Sequence, residues 1–441
     1  GSLPQRIRVP GSVGLLALTL DGKPVGVPAW DAEGWLWLRR EAGSEAAAEE
    51  FLSAKVHGAL EDGIPIWLRL EVELIVGGPS REAVLGTILP ELSKRFDLTP
   101  KQNGTIGMTQ AIGLMVGSFF IGPLMDLEGK KLGILLALAL ITLALFGLRR
   151  AKGYGSIAGF MLMLGAGGGA LVTSAFALAG EIQVSWLQGA AVFNAVNLFF
   201  GLGGLITPLV AARVFQNNAN RLLFFAMLIA VLAFAANSFV EVGPPSGKVA
   251  FQASSVATLL GNPVLLILAS ALFLYVACEV GVWIWLARHL IAQGVPEARA
   301  LTILSLGFAL GILLGRVAVV PVQGSVTPKS VLLAAALGMA ATTFLMLQTR
   351  SAGTAQALVF LAGIAMAPVF PTALGLVGGA FKAEGLDATA TGIASTAGWL
   401  GLVISSPIIG AIAGDDPGRL KKALLLLPAG SLLMGAVILA L

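Results

Sequence analysis

The sequence predicts an all-α multi-pass membrane protein, a two-half helical bundle, preceded by a small soluble β-rich domain. Three observations predict it. Of 441 residues, 56% are hydrophobic and 12% charged, with a mean hydropathy of +0.88, whereas soluble domains carry about 25% charged residues. The charges are also uneven: the first 100 residues hold 24 of the 52 Asp, Glu, Lys and Arg. From Gly104 onward, apolar runs of about 17 to 30 residues recur between short polar or Gly/Pro turns, the length a bilayer crossing requires.

The composition excludes several classes. Two histidines and one cysteine are too few for a zinc cage or a disulfide framework. A net charge of +4 without a basic stripe argues against nucleic acid. No Ser-His-Asp set, metal cluster or nucleotide loop is present, so neither an enzyme nor a cofactor or metal protein is expected.

The chain starts Gly1-Ser2, the mark of a cleaved tag or cloning join. Residues 1–84 read as the soluble β-rich domain. Arg6–Val9, Val13–Leu20, Val25–Ala29, Gly34–Arg39 and Trp67–Val76 have strand-like patterns, and Asp21-Gly22-Lys23 offers a hairpin turn. Pro24 and Pro28 restrict the third to a sheet edge. Ser44–Leu60 has a helical rhythm and an acidic first turn, which predicts one helix.

Eleven spans follow, at 104–125, 132–148, 156–180, 188–212, 222–241, 264–291, 300–323, 329–348, 353–381, 388–413 and 423–441. The longest turn, after the fifth, divides a first half (85–241) from a second (264–441) through a linker at 242–263. Six spans behind a central linker are the shape of one half of a repeated transporter. The first half is one span short, and residues 64–100 stand where that span belongs.

The turn after the first span reads Gly122-Pro-Leu-Met-Asp126-Leu-Glu-Gly129-Lys130-Lys131. It resembles the signature loop of the major facilitator superfamily, with Leu127 in place of the usual basic residue. An acid–base cluster at that place latches two halves in one access state and releases in the other, or is a plain turn with solvated charges. The resemblance begins near Leu85-Gly86-Thr-Ile-Leu-Pro90, as though a foreign soluble segment had replaced the first helix, by natural fusion, chimeric design or a misjoined gene. Farther on, Phe193-Asn194-Ala-Val-Asn197, then Tyr275-Val-Ala-Cys278-Glu279-Val-Gly281-Val-Trp283, and Phe370-Pro371-Thr372 are similar to the fifth, seventh and tenth helices of the fucose/glucose-type sugar:proton symporters. The resemblance covers residues 85–441. It implies a secondary transporter for a small hydroxylated solute, a monosaccharide foremost, with proton coupling, resident in a cell (inner) membrane.

Each residue also has a reading of its own. Asn194 and Asn197 stand three apart on one helical face, where amides bond solute hydroxyls or a neighbouring helix. Glu279 is the only acid in the middle of any span. There a bare carboxylate is costly, which marks it as a protonation site or polar substrate anchor unless Arg316 or Arg288 pairs it. Trp283, four residues on, suits stacking on a sugar ring. The expected substrate set is Asn194, Asn197, Glu279 and Trp283, and the gating loop Asp126, Gly129, Lys130 and Lys131. Arg316, in the second half's copy of the signature loop, is read as a gating or structural pair. Phe370-Pro371 is read as a helix break, and the glycines of 165–169 as helix packing.

One departure bears on coupling. Relatives of this type resemble one another in carrying an acid in the first helix and often another in the fourth. Here the first is absent and the fourth-helix equivalent, Gly169–Ala175, has no carboxylate. Glu279 taking over, facilitated diffusion, or sodium in place of the proton all remain open. So do an exporter of amphipathic molecules and a non-transporting membrane anchor for the first domain. Orientation is contested as well. Of 18 Lys and Arg in 101–441, twelve fall at the end of the bundle opposite the signature loop and five at the signature-loop end. The positive-inside rule therefore opposes the family's cytoplasmic signature loop.

Overall fold

The computed structural model describes residues 6–8, 18–20, 23–25, 35–37, 51–61, 67–77, 89–181, 189–215, 218–240, 242, 253–323, 325–349, 351–414 and 417–441. Residues Gly1–Ser80 form one unit and Arg81–Leu441 another. In the first, β1 (Arg6–Arg8) pairs with β4 (Trp35–Trp37), β2 (Leu18–Leu20) with β3 (Lys23–Val25) and β5 (Phe51–Glu61) with β6 (Trp67–Gly77), all antiparallel. The turn expected at Asp21-Gly22 lies outside the described residues, as do positions 44–50.

The helix expected over Ser44–Leu60 is corrected: from Phe51 onward this stretch is β5. Its sequence fits a period of two as well as a helical one. The register sets Leu52 against Val76, Ala54 against Leu74, Val56 against Val72 and Leu60 against Leu68, so apolar positions oppose one another along one face. Gly58 weakens the helical alternative.

The second unit is all helix among the described residues. A short α1 (Leu89–Phe96) precedes α2 (Pro100–Glu128), α3 (Lys130–Arg150), α4 (Tyr154–Ala179), α5 (Ala190–Arg213) and α6 (Ala219–Phe239). Then come α7 (Ala253–Leu260), α8 (Pro263–Ala292), α9 (Glu297–Thr302), a π-helical turn (Ile303–Ala309) and α10 (Leu310–Val322). The chain ends with α11 (Pro328–Gln348), α12 (Ala352–Met366), α13 (Val369–Phe381), α14 (Asp387–Ala413), α15 (Pro417–Leu424) and α16 (Leu426–Leu439). Among the described residues, ten stretches are long and apolar enough to cross a membrane. With the shorter apolar stretch of α5, these coincide with the eleven spans read from the sequence. The linker expected at 242–263 holds α7.

The polar breaks between spans are helix caps. Thr99 and Gln102 form a capping box at α2. Asn218, Asn262, Thr327 and Ser351 accept first-turn amides of α6, α8, α11 and α12. Pro follows at the first helical position of α2, α8 and α11, where its missing N–H has no partner to lose. The break near Phe370 is corrected to Ala367-Pro368: α12 stops at Met366 and Phe370-Pro371 already lie within α13. Pro368 cannot continue the ladder, and Pro371 removes a second donor three residues later.

The glycines of 165–169 bring α4 against α2. A Cβ at Gly165 or Gly169, or at Gly113 or Gly117 facing them, would fall on backbone of the opposite helix. One large core gathers α8 and α11–α16, joined by Phe176, Val192 and Phe193 of the first half. A smaller one packs α1, α3, α4 and α6 around Leu92, Leu148, Met161 and Leu223.

Candidate functional site

Gly129, with φ of +99°, lets α2 stop and α3 restart within one residue. The turn sends Lys130 inward, where its side chain is 7% exposed. Its Nζ donates to Ala177 O (3.3 Å), Glu181 Oε1 (2.5 Å) and Asp387 Oδ2 (2.7 Å), so all three donors are used. Glu181 also pairs with Lys382 Nζ (3.2 Å), which donates to Gly180 O (2.6 Å). Burial alone would raise the Glu181 carboxyl, but the Lys130 and Lys382 ammoniums outweigh it and hold it below its ordinary 4.5.

Asp126 completes the cluster. α14 has Leu386 at its own N-cap and receives no side-chain cap from it. Asp126 supplies the cap from the other half: Oδ1 accepts from Ala388 N (3.2 Å), Oδ2 from Thr389 N (2.7 Å) and from Thr389 Oγ1 (2.5 Å). A carboxylate there also faces the positive end of the α14 dipole. At Gly122 a Cβ would meet Ala388 and Thr389 backbone, so α2 and α14 touch main chain to main chain.

Behind the ionic layer lies a mixed one. Asn194 Nδ2 lies 3.1 Å from Gln323 Oε1 and 3.2 Å from Thr372 Oγ1, and Gln323 Nε2 donates to Thr372 Oγ1 (2.8 Å). Trp399 Nε1 donates to Ser118 Oγ (3.0 Å), which donates to Gly169 O (3.1 Å). Phe370 packs with Phe176 of the first half (5.7 Å) and with Tyr275 (6.4 Å) and Trp399 (6.0 Å) of the second.

Deeper still, Glu279 lies on α8 with Tyr275 and Trp283 one turn to either side, and Trp283 lies edge-on to Phe308 at 5.0 Å. Arg316, buried on α10, donates through Nη1 to Asn197 O on α5 (2.9 Å) and attracts Glu279 through space. Among the described residues the ion pairs within 4.0 Å are Lys130–Glu181, Lys130–Asp387 and Lys382–Glu181. Glu279 and Arg316 therefore form no ion pair within that distance. Arg288 lies 5.7 Å from the Trp285 ring.

A sequence profile described as the Major Facilitator Superfamily matches residues 80–326, more than half of the chain. The chain belongs to that superfamily. Its long apolar helices fit the multi-pass membrane fold of that superfamily. The fold agrees with a crystal structure of FucP, the E. coli fucose:proton symporter, in the outward conformation: TM-score 0.71 and 18% identity over 81% of this chain and 95% of that one. Among curated proteins, Synaptic vesicle glycoprotein 2A of Rattus norvegicus is 27% identical over 29% of this chain and 17% of its own length. The Gentisate transporter of Corynebacterium glutamicum is 27% identical over 34% of this chain and 33% of its own length. The matched stretches thus span well under half of these relatives.

The facilitator brings some of the residues singled out from its sequence together and separates others. Asp126 and Lys130 meet the second half, whereas Lys131 turns away and caps α6 at Ser238 O (2.8 Å). Arg316 meets Asn197 O, and Trp283 stands one turn from Glu279, but no ion pair within 4.0 Å joins Arg316 to Glu279. Asn194, though on the same face as Asn197, joins Gln323 and Thr372. Sequence reasoning missed Glu181, Lys382, Asp387 and Thr389. The two available signals were an acid just past the fourth-helix equivalent and a Lys-x-x-x-x-Asp turn leading into α14. Among the described residues, no group of His, Cys, Asp and Glu is placed to hold a metal ion.

Proposed function

We propose that this facilitator moves a small hydroxylated solute, a monosaccharide foremost, across a cell membrane by alternating access, with Glu279 as the proton-coupling group. Glu279 carries this reading: it is a carboxyl in the middle of the 30-residue α8, with Tyr275 and Trp283 one turn to either side and the charge of buried Arg316 acting on it without an ion pair within 4.0 Å. A carboxyl at that depth is costly to charge unless it is solvated or paired, so it takes up and releases a proton as its surroundings change. Its charge acts on Arg316, and Arg316 holds α5 through Asn197 O, so protonation is coupled to the seam between the halves. Asn197 and Trp283 border this point as solute contacts, and Asn194 lies one turn nearer the signature loop.

Asp126, Gly129 and Lys130, with Glu181, Lys382 and Asp387, form the gate at the signature-loop end, and Lys131 braces it through α6. Residues 1–84 are read as a small β-rich domain outside the bilayer. The similarity to a fucose:proton symporter supports the substrate class by fold alone.

A second reading has an observation behind it. Arg316 Nε is buried without a hydrogen-bond partner, a donor suited to a carboxylate, and the gentisate transporter is a relative by sequence. Uptake into proteoliposomes, with and without an inward proton gradient, tests both readings. Gradient-driven monosaccharide uptake that Glu279→Gln uncouples establishes the first. Saturable gentisate uptake lost in Arg316→Gln, with no sugar competition, establishes the second. A gradient-dependent flux undiminished in Glu279→Gln refutes the coupling role.

A further inference from the structure

At the end of the bundle opposite the signature loop, the C-terminus of α3 and the start of α6 border an open pocket of about 410 Å³. Arg149 and Arg221 stand at its rim, above walls of Phe215, Phe224, Phe225 and Leu228. The Arg149 guanidinium lies 4.9 Å over the Phe224 ring, and its Nε is buried with no hydrogen-bond partner. Arg221 is exposed, and neither arginine enters an ion pair among the described residues. The nearby Asn220 Oδ1 is occupied by Arg95 (3.2 Å), which adds a further cation rather than a counter-ion.

Arg221 is also in the wrong half of its helix. It occupies the first turn of α6, where the backbone dipole is positive and favours anions. Two uncompensated guanidiniums and a helix N-terminus on one pocket therefore call for negative charge. The depth of the site narrows its source. The spans Lys130–Arg150 and Ala219–Phe239 end here, which places the arginines at the bilayer–water boundary, the level of lipid phosphates. Below them the apolar wall continues down α6, where Phe224, Phe225, Leu228, Ile229 and Leu232 are all more than 40% exposed. A soluble anion would use the rim and leave that wall bare. A ligand with a phosphate head and hydrocarbon tails matches both.

We propose that this pocket binds an anionic phospholipid, its phosphodiester between Arg149 and Arg221 and an acyl chain along Phe224, Phe225 and Leu228. Two of the twelve cations that crowd this end of the chain then serve a lipid.

The test is retention of lipid by the purified full chain from an equimolar mixture of phosphatidylglycerol and phosphatidylcholine, read by native mass spectrometry. Phosphatidylglycerol is expected to be favoured. The preference falls about fivefold in Arg221→Gln and about fivefold again when Arg149→Gln is added, the worth of single cations at a membrane surface. Arg150→Gln is the control, since Arg150 lies over Phe146 at 5.1 Å and outside the pocket, and it keeps the preference. Arg221 is exposed, so its variant carries the test even if the double variant does not fold. Equal retention of the two lipids by the parent chain overturns the proposal, as does an equal loss in Arg150→Gln. Displacement of the lipid by water-soluble glycerol phosphate assigns the site to a free phosphate and overturns it as well.

Discussion

Replacing Lys130 by methionine keeps the stem and removes the charge from the centre of the ionic cluster. The largest consequence falls on Asp387, whose side chain is 7% exposed. Breaking a buried pair by removing one partner costs about 3–5 kcal/mol. Two features lower that figure. Glu181 is 32% exposed and keeps Lys382, and Asp387 retains the α14 dipole, worth about 0.3–1 kcal/mol. About 2–4 kcal/mol remains. Because Lys130–Asp387 joins the two halves, it is lost only from the arrangement in which they meet at this end, a shift of roughly thirty- to eight-hundredfold in the closed-to-open ratio. Spin labels at Leu127 and Glu384, both exposed on opposite halves, report that distance by double electron–electron resonance, and the one native thiol, Cys278, is buried. The parent chain is expected to show one short distance and Lys130→Met a dominant longer one. Identical distributions would refute the claim that this cluster holds the halves together.

The same labels check two further predictions. Asp126→Ala removes the trans cap of α14 and is expected to weaken closure by about 1 kcal/mol, and Thr389→Val by less, since the two backbone donors survive. The Glu181 carboxyl is held below 4.5 when the halves are joined. Its contribution is therefore complete above its ordinary value and disappears as pH falls through the closed-state value. A pH titration of the short distance should show loss on acidification that is smaller in Glu181→Gln. Gly117→Val drives a side chain into α4 backbone and is expected to lower stability by about 1–3 kcal/mol, seen as a lower Tm. Gly155→Ala, where a Cβ meets nothing within 4 Å, is neutral or stabilising by about 0.5–1 kcal/mol.

The spans were legible because a membrane helix declares itself by length and composition alone, and Thr99, Asn218, Asn262 and Thr327 mark the starts with capping chemistry. The gate was half legible. Asp126, Gly129 and Lys130 stand together in a motif, but their partners lie 51 to 263 positions away, and in sequence Glu181, Lys382 and Asp387 look like ordinary loop charges. The helix break read at Phe370-Pro371 falls instead at Ala367-Pro368, since two prolines three residues apart each remove a backbone donor and packing decides which one ends the helix. The β5 stretch shows the converse limit: eleven residues whose pattern fits both periods take the one that a partner strand completes.

A helix that borrows its cap from across a seam has an N-terminus that is finished only part of the time. While Asp126 is in place, the amide protons of Ala388 and Thr389 are shielded by its carboxylate; once the halves part, water is their only acceptor. Exchange at these two amides therefore runs at a rate set by how often the protein opens. Two backbone protons keep time for the transport cycle, readable in the unlabelled protein.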